Sequence, residues 1–444
     1  MLLTSVLLGA LFLPQRAPVT STAQSSALSV TIDKAATAIE REMLEWRRHL
    51  HQHPELSNRE AETAKYVADK LRSFGLEPRT NIARHGVIAL LKGGRPGGVV
   101  ALRADMDGLP VTEETGLPFA SRAKGEYEGR PVGVMHACGH DTHVAMLLAV
   151  AKILSDNRPE LPGAVKFIFQ PAEEGAPRGE GPAGAEAMVQ AGVLEDPAVD
   201  AIFGVHVYAN LPTGRIAWIS GPMMAASDSY EIIVKGRQTH GATPWAGVDP
   251  IVIGAQIVVA LQTIVSRQVN ITAQPAIVTV GQFEAGVRSN IIPDSTRLVG
   301  TIRTFDSSMQ DDIHERVRRT ATQIAASAGA TADVRIERGY PVTVNDPELT
   351  SRMVPTLRRV LGTNLVEGSK ITGAEDFSYF QRQVPGLFLL LGITPPAEVG
   401  KAPQNHSPKF FVDEAALIAG VRTLAHLAVD YLGSTGAPRA AGAQ

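Results

Sequence analysis

Residues 135–143 read Met-His-Ala-Cys-Gly-His-Asp-Thr-His. This stretch holds the chain's single cysteine, Cys138, together with His136, His140, Asp141 and His143, and an apolar run over 144–154 that reads as a buried helix follows directly. Thiolate, imidazole and carboxylate are the donors that borderline divalent cations accept. Gly139 lets the backbone turn tightly between Cys138 and His140. The stretch therefore reads as half of a metal site. A cysteine packed as a small apolar residue and histidines at a helix start would account for it equally well, and no Cys-x-x-Cys spacing supports a zinc finger. The rest of the chain has to decide.

The elements around this stretch are short β-rich runs that end in polar clusters. Strands are expected over 86–91 and 99–103, and the second runs into Asp105 and Asp107. A strand over 164–169 ends in Gln170-Pro171-Ala172-Glu173-Glu174-Gly175, and one over 200–205 ends at His206. Strand, polar tip, helix, strand is the pattern of an open α/β sheet, whose ligands lie beyond the carboxyl ends of the strands. Adjacent carboxylates at such a tip repel each other unless a cation offsets the charge. A metal site accounts for Asp105, Asp107, Glu173, Glu174 and His206 together, where solvated loop acids would have to recur at every tip.

Before the sheet, helical periodicity covers 34–50, with Ala35, Ala38, Ile39, Met43 and Trp46 on one face. His49, His51 and His53 then read as a solvated helix end closed by Pro54. A second helix over 60–74 stops at Gly75. From 224 to 339 the expected order is strand 229–234, helix 250–265, strands 276–283 and 296–304, helix 309–328 and strand 332–338. That βαββαβ order is a ferredoxin-like unit inserted into the larger domain. Its Gly-bearing loops hold His240, Arg288 and Asn290. The first domain resumes over 340–433, with a helix over 347–361, an acidic loop at Glu375-Asp376, a strand over 386–391, His406 in a loop, and a final helix over 414–432. The layout is thus 28–223 and 340–433 for the catalytic domain and 224–339 for the insert, with termini at 1–27 and 434–444.

Composition narrows the class. The chain has 444 residues, 44% of them hydrophobic and 20% charged, with a net charge of -3. Such an interspersed, nearly neutral balance gives no electrostatic footprint for nucleic acid or an anionic membrane. One cysteine excludes an internal disulfide framework. The apolar run 2–13 has the length of a signal-peptide core, and Ser21-Thr22-Ala23 offers small residues for cleavage, although no Lys or Arg precedes the run. The expectation is a periplasmic or secreted protein with no membrane contact once that segment is removed, and a cytoplasmic one if it is not a signal. The tail 434–444 is rich in Gly, Ala and Pro.

Six stretches in order resemble the dinuclear-metal N-acyl-amino-acid amidohydrolases, a metallopeptidase-like group that includes hippurate hydrolases, bacterial aminoacylases and plant hydrolases of auxin-amino acid conjugates. They are 103–110 (Arg-Ala-Asp-Met-Asp-Gly-Leu-Pro), 135–143, 169–175, 204–207 (Gly-Val-His-Val), 373–378 (Gly-Ala-Glu-Asp-Phe-Ser) and 405–410 (Asn-His-Ser-Pro-Lys-Phe). The resemblance implies an α/β catalytic domain, an open mixed sheet between helices, with the insert as a lid and dimerisation domain. It implies two divalent ions per subunit, Zn or Mn, with Co or Ni acceptable, held by Cys138, His140, Glu174, His206 and His406. It makes Glu173 the general base, His240 a donor to the oxyanion that often reaches a partner subunit's site, and Asn290 a substrate contact; a homodimer follows as an expectation. Departures are Gly108, where Ala is commoner, and Tyr208-Ala209-Asn210 in place of a Trp-Pro continuation, which touches the pocket wall.

The expected chemistry is amide hydrolysis of a small N-acyl amino acid. A cation pair acidifies water and polarises the scissile carbonyl. Glu173 would move the proton to the leaving amine, and Asp107 would orient a ligand imidazole. Three alternatives stand beside it. One is an aminopeptidase or dipeptidase of the same superfamily. Another makes Cys138 a nucleophile with His140 as base, which leaves the carboxylates unexplained. The third is a metal- or amino-acid-binding protein without catalysis, which would have no use for Glu173.

Overall fold

The computed structural model describes residues 21–434, with the backbone alone for 21–26. The apolar N-terminal run 2–13 and residues 435–444 lie outside the described residues. The larger sheet has eight strands. In spatial order they are Arg79–Ile82, Gly86–Lys92, Pro162–Gln170, Arg95–Asp105, Ala201–Pro212, Gly386–Thr394, Ile216–Trp218 and Leu365–Glu367. Arg95–Asp105 runs parallel to both of its neighbours, and Gly386–Thr394 runs parallel to Ala201–Pro212. Gly86–Lys92 runs antiparallel to both of its neighbours, and Ile216–Trp218 runs antiparallel to Gly386–Thr394 but parallel to Leu365–Glu367, so the sheet is mixed.

Alternation along each central strand feeds two cores. Val100, Leu102, Ala104, Val165, Phe167, Phe169, Phe203 and Val205 face one layer of helices. Ala101, Ile168 and Ile202 face the other. Both faces are covered, which is why the central strands read as continuous apolar runs.

The first helix is Ser21–Gln52, starting well before the expected 34. Leu28, Ile32, Ala36, Ile39, Met43, Trp46 and Leu50 continue one buried stripe at helical spacing. The helix after the Cys138 stretch is His140–Asp156, not 144–154, because Gly139 at φ 94 turns the chain directly into it. A side chain at Gly139 would meet Val207 Cγ2 at 2.4 Å. Unforeseen strands are short and lie toward the sheet edges, or form the hairpin Lys124–Tyr127 with Arg130–Gly133. They are too brief and too polar for an alternation signal to register. The solvated helix end is corrected at one position: His51 is buried and lies between Asp141 and Glu113.

The smaller sheet has the order Ala276–Ala285, Ser295–Thr304, Ala226–Lys235, Thr331–Arg338, all antiparallel. Helices Pro250–Thr263 and Ser307–Ser327 pack on one face through Ile253, Ile257, Leu261, Ile313 and Val317 against Tyr230, Ile232, Leu298 and Ile302. Asp249 and Asp306 cap these helices by accepting first-turn N–H groups. The helix-free face carries Ser227, Thr301 and Arg303. Where the chain enters and leaves this unit, Ser227 N–H donates to Tyr340 O at 3.0 Å, and Tyr340 N–H to Ser227 Oγ at 3.2 Å.

Candidate metal centre

The strand tips and the Cys138 turn meet at one rim. His140 opens its helix with Nδ1 held by Asp107, 3.1 Å from Oδ1 and 3.0 Å from the backbone O. Its Nε2 is buried and makes no hydrogen bond among the described residues. Asp107 is itself fixed, since Oδ2 accepts from Ser57 Oγ at 2.7 Å and from Glu174 N–H at 3.0 Å. His206, on strand Ala201–Pro212, gives its Nδ1–H to Val207 O at 2.7 Å, which leaves Nε2 facing Cys138 Sγ at 3.4 Å. His406 Nε2 stands 3.2 Å from Glu174 Oε1. Cys138, Glu174 and His406 form one group of ligand atoms within 4.8 Å of one another, and His140, Glu173 and Glu174 form another.

The donor set fits divalent cations. A histidine whose Nδ1–H is anchored and whose Nε2 is left bare is how a ligand imidazole is prepared. His140 and His206 both have that arrangement. Asn405 holds the last loop in place by donating to Cys138 O and Val207 O, both at 3.2 Å, and His406 N–H donates to Ala137 O at 2.8 Å.

His143 is different. Its Nδ1–H goes to Asp105 at 2.5 Å and its Nε2 accepts from Val207 N–H at 2.9 Å, so both nitrogens are committed. It lies among possible ligand atoms with Asp105, His140 and His206, yet has none free to offer. Below it, Arg103 Nη1 pairs with Asp105 at 2.7 Å, while Nη2 pairs with Glu375 at 2.9 Å and Asp376 at 2.8 Å. Arg103 and Asp105 share a strand face at a spacing of two residues, a signal legible in the sequence that carried no partner there.

The charge balance shows a site short of positive charge. Burial, then Glu174 and Glu173, push the Cys138 thiol well above its usual range. Burial, then Glu375 and Glu174, do the same to the Glu173 carboxyl. For His140 burial opposes the proton, but Asp105 and Asp107 outweigh it and carry the imidazole up to about 10. Cations placed among these groups would reverse that balance.

Glu173 makes no side-chain hydrogen bond among the described residues, and its Oε2 is 3.9 Å from His140 Nε2. It lines a cleft of ≈ 690 Å³ whose walls include Cys138, Glu174, His206 and His406 on one side and Ser227, Thr301 and Arg303 of the smaller sheet on the other. His240 and Asn290 are not in that wall. They sit together elsewhere in the insert, where His240 pairs with Ile291 and both are exposed.

A family model described as Peptidase family M20/M25/M40 matches residues 101–430. The chain is 42% identical over 332 residues to an N-acyl-L-amino acid amidohydrolase of Geobacillus stearothermophilus, covering 74% of this chain and 85% of that one. It is 41% identical over 397 residues to thermostable carboxypeptidase 1 of Saccharolobus solfataricus, covering 88% and 96%. Among solved structures, a dinuclear metal binding peptidase of the M20 family from Bacillus subtilis matches with a TM-score of 0.75 at 36% identity, over 90% of this chain and 99% of that one.

Proposed function

This chain belongs to the M20/M25/M40 peptidase family, and on that premise we propose that it cleaves the amide bond of N-acyl amino acids to a carboxylic acid and a free amino acid. The observation that carries the reading is Glu173: a buried carboxyl with no hydrogen-bonding task, turned to the cleft beside the bare Nε2 of His140. Binding alone has no use for such a group. When bound, a pair of divalent cations, Zn or Mn with Co or Ni also suited to these donors, acidifies water and polarises the scissile carbonyl. Cys138, His140, Glu174, His206 and His406 would hold that pair. Glu173 takes the proton from the attacking water and delivers it to the departing nitrogen.

The substrate's carboxylate has a natural receiver. Arg303 lines the cleft, is half-buried, and makes no hydrogen bond or ion pair among the described residues. Asp228, on the adjacent strand, is already engaged by Gln310 and His314. A guanidinium left in that state suits a planar carboxylate. The similar amidohydrolase and carboxypeptidase, by their names, both cut the amide next to a residue with a free carboxylate. That shared demand favours the present reading over an aminopeptidase.

The subunit is proposed to work as a homodimer through the insert. Val252, Val259 and Phe283 are exposed on its helix Pro250–Thr263 and edge strand Ala276–Ala285, and His240 and Asn290 lie away from the cleft of their own chain. A partner's cleft is where those two residues would act. Export to the periplasm or the medium is proposed from the apolar run 2–13 alone.

The test is hydrolysis of acetyl-, benzoyl- and indole-acetyl-amino acids with metal content measured on the same sample. Turnover that follows metal loading and stops on chelation is expected. A fully loaded protein that cleaves none of them, or one whose turnover ignores chelation, ends the reading.

A further inference from the structure

The turn that carries Glu173 and Glu174 is strained and is held from outside. Ala172 has φ 51, a left-handed conformation that L-residues adopt only at an energetic cost. Three side chains engage the backbone of this turn. Asp107 Oδ2 accepts from Glu174 N–H at 3.0 Å, the Tyr340 hydroxyl donates to Glu173 O at 2.5 Å, and Glu60 Oε1 accepts from Ala172 N–H at 2.8 Å. Asp107 already serves His140, and Tyr340 lines the cleft. Glu60 does neither.

Glu60 immediately precedes the helix Ala61–Ser73 and is fully buried. Its Oε1 also accepts from Asn58 N–H at 3.0 Å, and its Oε2 has no partner. A buried carboxyl with one oxygen idle is costly, and its working oxygen goes to the residue whose backbone is strained, one position before the proposed base and two before a proposed ligand. We propose that Glu60 is a positioning residue: by accepting the Ala172 N–H it keeps the turn in the conformation that sets Glu173 toward the cleft and Glu174 beside His406. Burial, then Asp107, push the Glu60 carboxyl up to about 8, and a carboxamide is its near isostere.

The effect on catalysis rests on the hydrolase reading, whereas the effect on metal affinity does not. Glu60→Gln keeps the accepting oxygen. Glu60→Leu removes it, and Glu60→Asp withdraws it by one methylene. Each full-length variant is compared with wild type by kcat, KM and Zn affinity in a chelator competition. Glu60→Gln is expected to stay within about twofold of wild type in each, whereas Glu60→Leu is expected to lose about 10–100-fold in kcat at nearly constant KM and about tenfold in affinity for one of two ions. Should Glu60→Leu fail to fold, Glu60→Asp is expected to show the same losses in smaller measure against an intact Glu60→Gln. A folded Glu60→Leu or Glu60→Asp with wild-type affinity and turnover overturns the assignment, and so does a Glu60→Gln as damaged as Glu60→Leu. A wild type that hydrolyses nothing overturns the hydrolase reading instead, and the affinity comparison still decides the role of Glu60.

Discussion

Glu173 and Glu174 are neighbours with different tasks. Glu174 lies 3.2 Å from His406, while Glu173 makes no side-chain hydrogen bond among the described residues and has Oε2 3.9 Å from His140 Nε2. Glu173→Gln is therefore expected to keep both ions by elemental analysis and to lower kcat by about 10²–10⁴-fold, the usual worth of a positioned acid-base group. A metal-loaded Glu173→Gln with near wild-type turnover would remove the assigned base. Arg303 makes a second prediction at this scale. Arg303→Met is expected to raise KM for an N-acyl amino acid by about 10–100-fold, the worth of a charged hydrogen bond, and to leave the matching N-acyl amino amide nearly unchanged. Equal losses on the two substrates would show that Arg303 does not meet the carboxylate.

The turn proposed to carry Cys138 and His140 as ligands is fastened from behind by an element that is not part of the cleft wall. Helix Ser21–Gln52 sends Arg47 Nε to Asp141 at 2.8 Å and His51 Nδ1 to the same carboxylate at 3.0 Å, with His51 Nε2 3.2 Å from Glu113. Asp141 is the residue after His140, so this pairing fixes the start of helix His140–Asp156. With a carboxylate at each ring nitrogen, His51 favours the imidazolium. Burial opposes the charge, but Asp141 outweighs it and the pKa is raised. The contribution of that proton to stability is then complete below the unfolded value of about 6.5 and disappears as pH rises through the raised folded value. His51→Gln is expected to cost about 3–5 kcal/mol in urea unfolding at pH 6, as for a broken buried ion pair, and clearly less at high pH. A penalty independent of pH would mean that His51 is neutral in the fold.

Across the whole molecule, the cleft is assembled from two sheets, and the chain passes between them where Ser227 and Tyr340 pair. Tyr340 donates to Glu173 O from that crossing, so one residue contacts both the insert's entry strand and the turn with the proposed base. His240 stands at the other end of the insert, beyond strand Ala226–Lys235. If a partner's His240 completes each site, mixing inactive His240→Ala with inactive Glu173→Gln creates some sites with both groups intact. Recovery of up to about a quarter of wild-type turnover is expected, since random exchange makes about half of the dimers mixed and one of the two sites in each mixed dimer combines both groups. No recovery despite demonstrated subunit exchange would place His240 in the service of its own chain.

Much of this was legible in the chain itself. Glu173, Glu174 and His206 stand out by type and by their places after strands, Cys138 and His140 by their clustering, the full ligand set with His406 follows from the family resemblance, and the βαββαβ order of the insert follows from local periodicity. These signals survive in one dimension because alternation, helix period and ligand chemistry need only near neighbours. What the chain did not disclose depends on remote residues coming together. Arg103 meets Glu375, 272 positions away; His51 is buried against Asp141, 90 positions away; Glu60 reaches Ala172 across 112 positions. Whether a polar side chain faces water or a buried partner is settled by packing of whole helices and sheets, where the cost of an unpaired charge selects the arrangement, and no local pattern records that choice.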